Sequence, residues 1–156
     1  MFEKILVCLD GSALAEQVLP YAAEQARRFG SRLTLLHVAL EPVMAATGAA
    51  GGPEHLEKPG VLDQMKKEHK QGLAYLEKVA AKLRKDGLEV DVVILQESPG
   101  DAIVSYASEN NFGLIAMATH GRSGLGRAVF GSVAEHVLRN SDLPLLVIRP
   151  RSTGTR

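Results

Sequence analysis

The sequence predicts an α/β fold, in which a parallel β-sheet carries helices on both faces. Short apolar runs alternate with segments of helical periodicity along the chain, in the order β-α-β-(loop)-α-β-α-β-α-β. This alternation favours parallel strands joined by right-handed crossovers. In addition, the run at 114–119 (LIAMAT) is apolar or small throughout, which is typical of a strand buried on both faces.

Length and composition exclude several classes of protein. At 156 residues the chain predicts one domain, residues 1–150, and a polar tail at 151–156. Eighteen basic and eighteen acidic residues cancel and Trp is absent, which disfavours nucleic acid or a membrane surface as a partner. Cys8 has no partner for an intramolecular disulfide, and neither a signal peptide nor an apolar run of about 20 residues is visible. We therefore expect a soluble, cytoplasmic protein.

The chain begins with an apolar strand at 4–9 and a helix at about 13–29. Between them, Asp10-Gly11-Ser12 is a turn and helix-cap cluster. Pro20 is expected to bend the helix, and Gly30 is a natural C-terminal stop. The residues predicted to form its inward stripe are Ala15, Val18, Leu19, Ala22, Ala26 and Phe29.

A second strand at 32–38 precedes the least regular part of the chain. Residues 39–60 are interpreted as a mobile surface loop that closes over a site or, equally, as a disordered connection. A long helix is then predicted at about 61–86, ended by Gly87. Its inward residues are expected to be Met65, His69, Leu73, Leu76, Val79 and Leu83.

The C-terminal half supplies three more predicted strands, at 88–96, 114–119 and 143–149. The strand at 88–96 alternates at its start as an edge strand would. Ser98 and Pro99 suit the cap and first position of the following helix. The residues predicted to face inward on the last two helices are Ala102, Ile103, Tyr106 and Ala107, and then Val133, Ala134, Val137 and Leu138.

A glycine-rich segment between the fourth strand and the last helix is the main functional signal. Gly121, Gly124 and Gly126 are followed by Gly131-Ser132, where the helix begins. Glycines let the backbone approach a ligand, and the first turn of a helix has unpaired N–H groups that favour anions. The segment therefore predicts a phosphate site or, without a ligand, only a tight connection. It matches neither GxxxxGK[ST] nor GxGxxG.

The fold class itself suggests where such a site would lie. In open α/β sheets, ligands bind beyond the carboxyl ends of the strands, where the strand order reverses. If strands 1 and 4 are neighbours at that point, Asp10, Val38 and the segment 118–132 converge on one crevice. This convergence favours the phosphate hypothesis.

Five stretches of the chain resemble the universal stress protein family: KILVCLDGS, LLHV, SPGDAI, MATHGRSGLGRAVFGSVAEHVL and PLLVIRP. Nucleotide-binding members carry a glycine, two residues, a second glycine, nine residues, and then Gly-Ser or Gly-Thr. Gly121 and Gly131-Ser132 match this pattern, whereas Ala118 stands at the first glycine. If the backbone approaches the ligand closely there, the added methyl would weaken phosphate or ribose contacts.

The resemblance implies a Rossmann-like fold of the adenine nucleotide alpha hydrolase type, with strand order 3-2-1-4-5. It implies ATP, or AMP or ADP, in the crevice, with Mg²⁺ accompanying the nucleotide. Asp10 would lie near the ribose, the phosphates or the metal, and the Val38 main chain near the adenine edge. The full implied site is Leu9, Asp10, Val38, Met117, Ala118, His120, Gly121, Arg122, Gly124, Gly131, Ser132 and Val133. Homodimers through the last strand, residues 145–149, are also implied.

Several of these residues have a structural alternative. Asp10 either binds ribose or a divalent ion, or caps the first helix. Ser132 donates to a phosphate, acts as an N-cap, or does both. Arg122 and Arg127 either reach a phosphate or are solvated surface arginines. For His120, a structural hydrogen bond is favoured over a ligand contact.

Other reactive side chains indicate structure rather than catalysis. His37 is interpreted as a satisfied core histidine and Cys8 as a small buried hydrophobe. The five histidines show no metal-ligand spacing, and no catalytic set stands out. The first hypothesis is thus an ATP-binding stress or regulatory module. The second is a homodimeric interaction protein that binds no nucleotide, which Ala118 favours, and a slow ATPase or nucleotide-transfer enzyme ranks last.

Overall fold

The computed structural model describes residues 1–39, 60–119 and 131–151. Within them, five strands form one parallel sheet in the order β3-β2-β1-β4-β5. The predicted fold class and strand order are therefore confirmed. The strands are β1 Lys4–Cys8, β2 Arg32–Ala39, β3 Val90–Gln96, β4 Leu114–Ala118 and β5 Leu145–Ile148. The helices are α1 Ala13–Glu16, α2 Leu19–Phe29, α3 Val61–Lys85, α4 Pro99–Glu109 and α5 Ser132–Asn140.

The core lies on both faces of the sheet, and β1 is its central strand. Alternate β1 residues enter different clusters: Ile5 and Val7 pack under α1, α2 and α3, whereas Leu6 packs under α4 and α5. All three side chains are fully buried. This explains why β1 is apolar at successive positions rather than at every second one.

The first predicted helix is wrong in one respect, because α1 and α2 replace a single bent helix. The amide of Val18 donates to the Ala15 carbonyl at 3.2 Å, a tight i→i+3 turn that closes α1. Pro20 then occupies the first turn of α2, where its missing N–H costs nothing. Gly30 ends α2 in the left-handed conformation, φ 64°, as predicted.

The inward stripe of α3 also differs from the prediction. His69 is exposed and Leu73 is 40% exposed, whereas Gly72 is buried and Tyr75 is partly buried. The stripe is displaced because α3 approaches β2 and β3 closely at Gly72. A Cβ at this position would lie 3.1 Å from both the His37 ring and the Ile94 side chain. Leu76, Val79 and Leu83 are buried as expected.

Two further side chains expected in the core are exposed. Phe29 is 56% exposed and packs edge to face against Phe2, with the ring centroids 5.2 Å apart. Leu138 is 51% exposed on α5. Phe29 is the last residue of α2, and Leu138 lies in the last turn of α5.

The remaining connections are largely as expected. β3 is an edge strand, and Ser98 is the N-cap residue of α4, although no side-chain hydrogen bond completes the cap. The irregular segment lies outside the described residues, apart from Ala39 in β2 and the N-cap Gly60 of α3. Within the described ranges, no helix has both the length and the apolar character to cross a membrane.

Candidate functional site

The carboxyl ends of β1, β2 and β4 meet at one edge of the sheet. β1 pairs with β2 up to Cys8–Leu36 and with β4 up to Val7–Ala116. When both registers are carried forward, Asp10 falls between Val38 and Thr119. Because the strand order reverses between β1 and β4, this is the switch point at which such sheets bind ligands.

The turn after β1 holds Asp10 in a defined position. The Leu9 amide donates to the Leu36 carbonyl at 2.9 Å, and Asp10 Oδ1 accepts from the Ser12 amide at 2.9 Å. Ser12, not Asp10, is the N-cap of α1, since its Oγ accepts from the Ala15 amide at 3.1 Å. Asp10 is thus partly buried at the head of the turn rather than a helix cap.

Val38 presents its main chain to the same edge. Along a strand, the peptide groups of alternate residues point to the same side. The Leu36 carbonyl faces β1, where it accepts from Leu9, and so the peptide groups of Val38 also point towards β1. Val38 lies beyond the end of β1, since the pairing of β1 with β2 stops at Cys8 and Leu36. The main chain of Val38 therefore faces the crevice rather than a paired strand.

The N-terminus of α5 is fixed to the end of β4. The Gly131 amide donates to the Thr119 carbonyl at 2.8 Å, and the Thr119 amide donates to the Ile148 carbonyl at 2.8 Å. Gly131 is the N-cap residue, so Ser132 is the first helical residue and not the cap. Among the described residues, no side chain caps this end. Its first-turn N–H groups have no intrahelical acceptor and can serve an anion.

The last two residues of β4 place their side chains on opposite faces of the sheet. Met117 is buried in the α4–α5 cluster, so only its main chain is available to the crevice. Ala118 is partly buried and, by strand alternation, lies on the opposite face with Ala116, towards α1 and α2. Val133 is partly buried against the α4–α5 cluster.

Six residues named from the sequence lie outside the described part of the chain: His120, Gly121, Arg122, Gly124, Gly126 and Arg127. The structure brings the other members of the predicted site together at the carboxyl edge of the sheet. They are Leu9, Asp10, Val38, Met117, Ala118, Gly131, Ser132 and Val133.

Two side chains beside the crevice were not expected there. The Tyr75 hydroxyl is buried, and none of the described residues completes a hydrogen bond to it with good geometry. Burial, followed by the nearby Glu16 and Asp10 carboxylates, raises the pKa of this hydroxyl. His37 Nδ1 lies 2.9 Å from the Leu9 carbonyl. The sequence offered one signal for Tyr75, which is that it lies three residues after Gly72 and so on the same face of the helix. Assigning Gly72 to the buried face would have placed Tyr75 there as well.

Cys8 is partly buried at the end of β1 and packs against the α4–α5 cluster. Burial raises the pKa of its thiol to about 12, so the group stays protonated at neutral pH. It therefore behaves as the predicted small hydrophobe and not as a nucleophile. No group of three or more His, Cys, Asp or Glu within the described ranges could hold a metal ion.

A cavity lined by described residues lies at the other edge of the sheet. It has a volume of about 600 Å³ and is bordered by Glu3, Lys4, Arg27, Arg32 and Glu89. These side chains belong to the amino ends of the strands and to the C-terminal end of α2. The cavity is therefore separate from the crevice at Asp10.

Comparison with known proteins gives a consistent result. The model of the Universal stress protein family matches residues 1–149. Universal stress protein YxiE of Bacillus subtilis is 32% identical over 153 residues, covering 96% of this chain and all of YxiE.

Solved structures agree. The structure of MJ0577 from Methanocaldococcus jannaschii superposes with a TM-score of 0.82 at 25% identity, covering 98% of this chain and 99% of that one. A universal stress protein from Archaeoglobus fulgidus in complex with dAMP has the same fold, with a TM-score of 0.63 at 24% identity over 96% and 98% of the two chains. On the family match and the YxiE identity, this chain belongs to the universal stress protein family.

Proposed function

We propose that this universal stress protein binds ATP, or AMP or ADP, at the carboxyl ends of β1 and β4, and acts as a regulatory module in a stress response. The observation that carries the proposal is the hydrogen bond from Gly131 to Thr119, which fixes the N-terminus of α5 beside Asp10, where no side chain of the described residues forms a cap. The A. fulgidus protein in complex with dAMP supports it, since the same fold accommodates an adenine nucleotide there. Binding would shift a conformational or dimer equilibrium.

Each described residue has a role that follows from its position. The main chain of Val38 faces the crevice and is suited to the edge of the adenine ring. The Gly131 amide is used by the Thr119 carbonyl, but the first-turn amides at Ser132 and Val133 are suited to phosphate oxygens. The sequence motif adds Gly121, Arg122 and Gly124 to the phosphate contacts, and His120 next to them.

A divalent ion would enter with the nucleotide. Mg²⁺ keeps several waters and needs only one or two carboxylates in addition to phosphate oxygens. Asp10 supplies one such carboxylate at the crevice. The residues present therefore fit a metal ion that arrives bound to the nucleotide, rather than one that the protein holds by itself. With its charge, Asp10 would orient the Mg²⁺–phosphate group or accept from the ribose hydroxyls.

Calorimetric titration of ATP with Mg²⁺ tests the proposal directly. Gly131 has φ −62° and ψ 149°, which any residue adopts, so Gly131→Val adds bulk at the helix start without straining the backbone. We expect the wild type to bind and the Val variant to lose binding while it remains folded. Ser132→Ala should weaken binding, whereas the matched change Ser105→Ala, at an exposed position of α4, should not.

Failure to bind at millimolar ATP would overturn the nucleotide proposal. The second hypothesis, a homodimeric interaction protein of the same fold, would then be the better account, with Ala118 as its cause. Retention of full affinity by Gly131→Val would exclude the N-terminus of α5 as the phosphate site.

We also propose a homodimer formed through the last strand, residues 145–149. β5 has a neighbour only on its β4 side in the described sheet, and all four of its side chains are only partly buried. The carbonyls of Pro144 and Ile148 accept from β4, so the peptide groups of Val147 point to the open side. An unpaired apolar edge of this kind favours pairing with a second copy.

Light scattering coupled to size-exclusion chromatography tests this interface. Val147→Pro removes an outward N–H without breaking the β4–β5 ladder, and should convert the dimer to a monomer. Val147→Thr has nearly the same shape, keeps the N–H, and should remain dimeric. A dimer in both variants would place the interface elsewhere.

A further inference from the structure

We propose that His37 is a positioning residue for the crevice: its imidazole fixes the exit of β1 so that Asp10 and the Val38 main chain face the ligand. This inference rests on the proposed nucleotide site. It concerns two residues that lie 28 positions apart in sequence, Leu9 directly after β1 and His37 in β2.

The central contact joins the His37 ring to the Leu9 main chain. Nδ1 lies 2.9 Å from the Leu9 carbonyl oxygen. A carbonyl oxygen only accepts, so Nδ1 carries the hydrogen and donates it. On its other side, Leu9 donates its amide to the Leu36 carbonyl at 2.9 Å. Both polar groups of Leu9 are thus held by β2, one through its main chain and one through a side chain.

This contact ends the pairing between β1 and β2. In a regular parallel ladder, the Leu9 carbonyl would accept next from the amide of Val38, two residues after Leu36. The His37 ring supplies the donor to that carbonyl instead. β1 can therefore turn away at Asp10, and the peptide groups of Val38 are left facing the crevice.

The ring itself is held in place by α3. Gly72 lies so close that a Cβ there would be 3.1 Å from His37 Cδ2. The Tyr75 ring packs edge-on against the imidazole, with centroids 6.4 Å apart and planes at 69°. Packing from α3 thus selects the orientation in which Nδ1 points at Leu9.

The consequence for binding is pre-organisation. Leu9 directly precedes Asp10, and His37 directly precedes Val38, so one hydrogen bond sets the positions of two proposed nucleotide contacts. A site held in its binding geometry loses less freedom when the ligand arrives. Without the bond, the Leu9 carbonyl loses the donor that fixes it, the exit of β1 is held less firmly, and affinity should fall.

Two substitutions of the same shape separate the hydrogen bond from the packing. His37→Asn places an amide nitrogen where Nδ1 stands, whereas His37→Leu has the same branched outline without a donor. We expect the affinity for ATP with Mg²⁺ to fall less than about threefold in the Asn variant and at least about tenfold in the Leu variant. Equal losses in both would show that only ring packing matters, and equal retention would show that neither does; both overturn the inference.

A second measurement needs no nucleotide. The Ser12 amide donates to Asp10 Oδ1, so its hydrogen exchange reports the order of the β1 exit. In the free protein, exchange at Ser12 should be faster in His37→Leu than in His37→Asn, and unchanged exchange would overturn the inference. If the wild type does not bind ATP, the proposed function fails, and this exchange alone decides whether His37 positions the turn.

Gly72→Ala provides a variant that leaves His37 in place. The added methyl would lie 3.1 Å from the ring and should displace it by a few tenths of an ångström, which weakens the bond from Nδ1 to Leu9 and changes exchange and affinity in the same direction as His37→Leu. This variant keeps the test decisive should His37→Leu fail to fold. Wild-type exchange at Ser12 in a folded Gly72→Ala protein would contradict the proposed role of α3.

Discussion

The amide of Gly131 donates to the carbonyl of Thr119 at 2.8 Å, which joins the first residue before α5 to the first residue after β4. The Thr119 amide in turn donates to the Ile148 carbonyl, so Thr119 is hydrogen-bonded to β5 of the sheet. The N-terminus of α5 therefore cannot move independently of β4 and β5. This relationship gives the proposed phosphate site a rigid base at the switch point of the sheet.

Asp10→Asn should weaken the binding of ATP with Mg²⁺ by about tenfold or more, because the amide cannot neutralise the metal as a carboxylate does. Asparagine keeps the Oδ1 that accepts from Ser12, so the turn should survive. Titrations with and without Mg²⁺ check this, and the loss should be larger with the metal. Asp142→Asn, on an exposed residue, is the charge control. Unchanged affinity in Asp10→Asn would remove Asp10 from the site.

Ala118→Gly tests the departure from the family motif. Because the Ala118 methyl lies on the α1–α2 face, opposite the face that carries α5, we expect it to spare the phosphate contacts. The glycine variant should bind ATP within about threefold of the wild type, a difference of roughly 0.6 kcal/mol. A gain of about tenfold or more in the same titration would show that the methyl obstructs the nucleotide.

Because of Cys8, we expect the folded protein to lose stability at alkaline pH. The folded pKa of Cys8, about 12, lies above the ordinary value of 9.0, so between these values the thiol ionises only in the unfolded chain. Ionisation of the unfolded state favours unfolding, and stability should fall as the pH rises through this window, with no such penalty below it. Thermal unfolding from about pH 8 to about pH 11 should show a steeper decline for the wild type than for Cys8→Ala. Parallel curves would contradict the raised pKa.

Gly100→Ala should destabilise the protein through the contact between α4 and α5. A Cβ at Gly100 would lie 2.7 Å from the His136 ring, which also pairs with Asp101 at 2.9 Å. Forcing a methyl into this contact should cost on the order of 1–3 kcal/mol in the free energy of unfolding. His136→Ala removes the ring, and urea unfolding of the double variant should show that the second change offsets most of the first. Strictly additive losses would mean that the ring is not the obstacle.

Much of the fold was visible in local patterns. Apolar runs such as residues 4–9 and 114–119 predicted the central strands, because burial on both faces leaves no polar position in the pattern. The helix N-cap at Ser12 and the helix ends at Gly30 and Gly87 were also predictable from the sequence, since they depend on neighbouring backbone groups alone. The strand order was implied by the family resemblance and is confirmed in the structure.

The errors in the assignment of core residues have one physical origin, which is packing between distant segments. The α3 stripe was displaced towards Gly72 and Tyr75 because β2 and β3 approach the helix there, a contact that the helical period alone does not contain. Phe29 and Leu138 were also expected in the core, but both are more than half exposed at the C-terminal ends of their helices. At the site, the motif predicted Asp10 and Ser132, but not the contact between His37 and Leu9.

By itself, the sequence determined the succession of strands and helices, their caps and the glycine spacing that marks the family, because each depends on residues within a turn or a strand. Only the tertiary structure decided which distant groups meet. Gln17 pairs its side-chain amide with the main chain of Arg151, 134 residues away, and His37 holds Leu9 across 28. Such contacts depend on the order and register of the whole sheet, which no local pattern encodes.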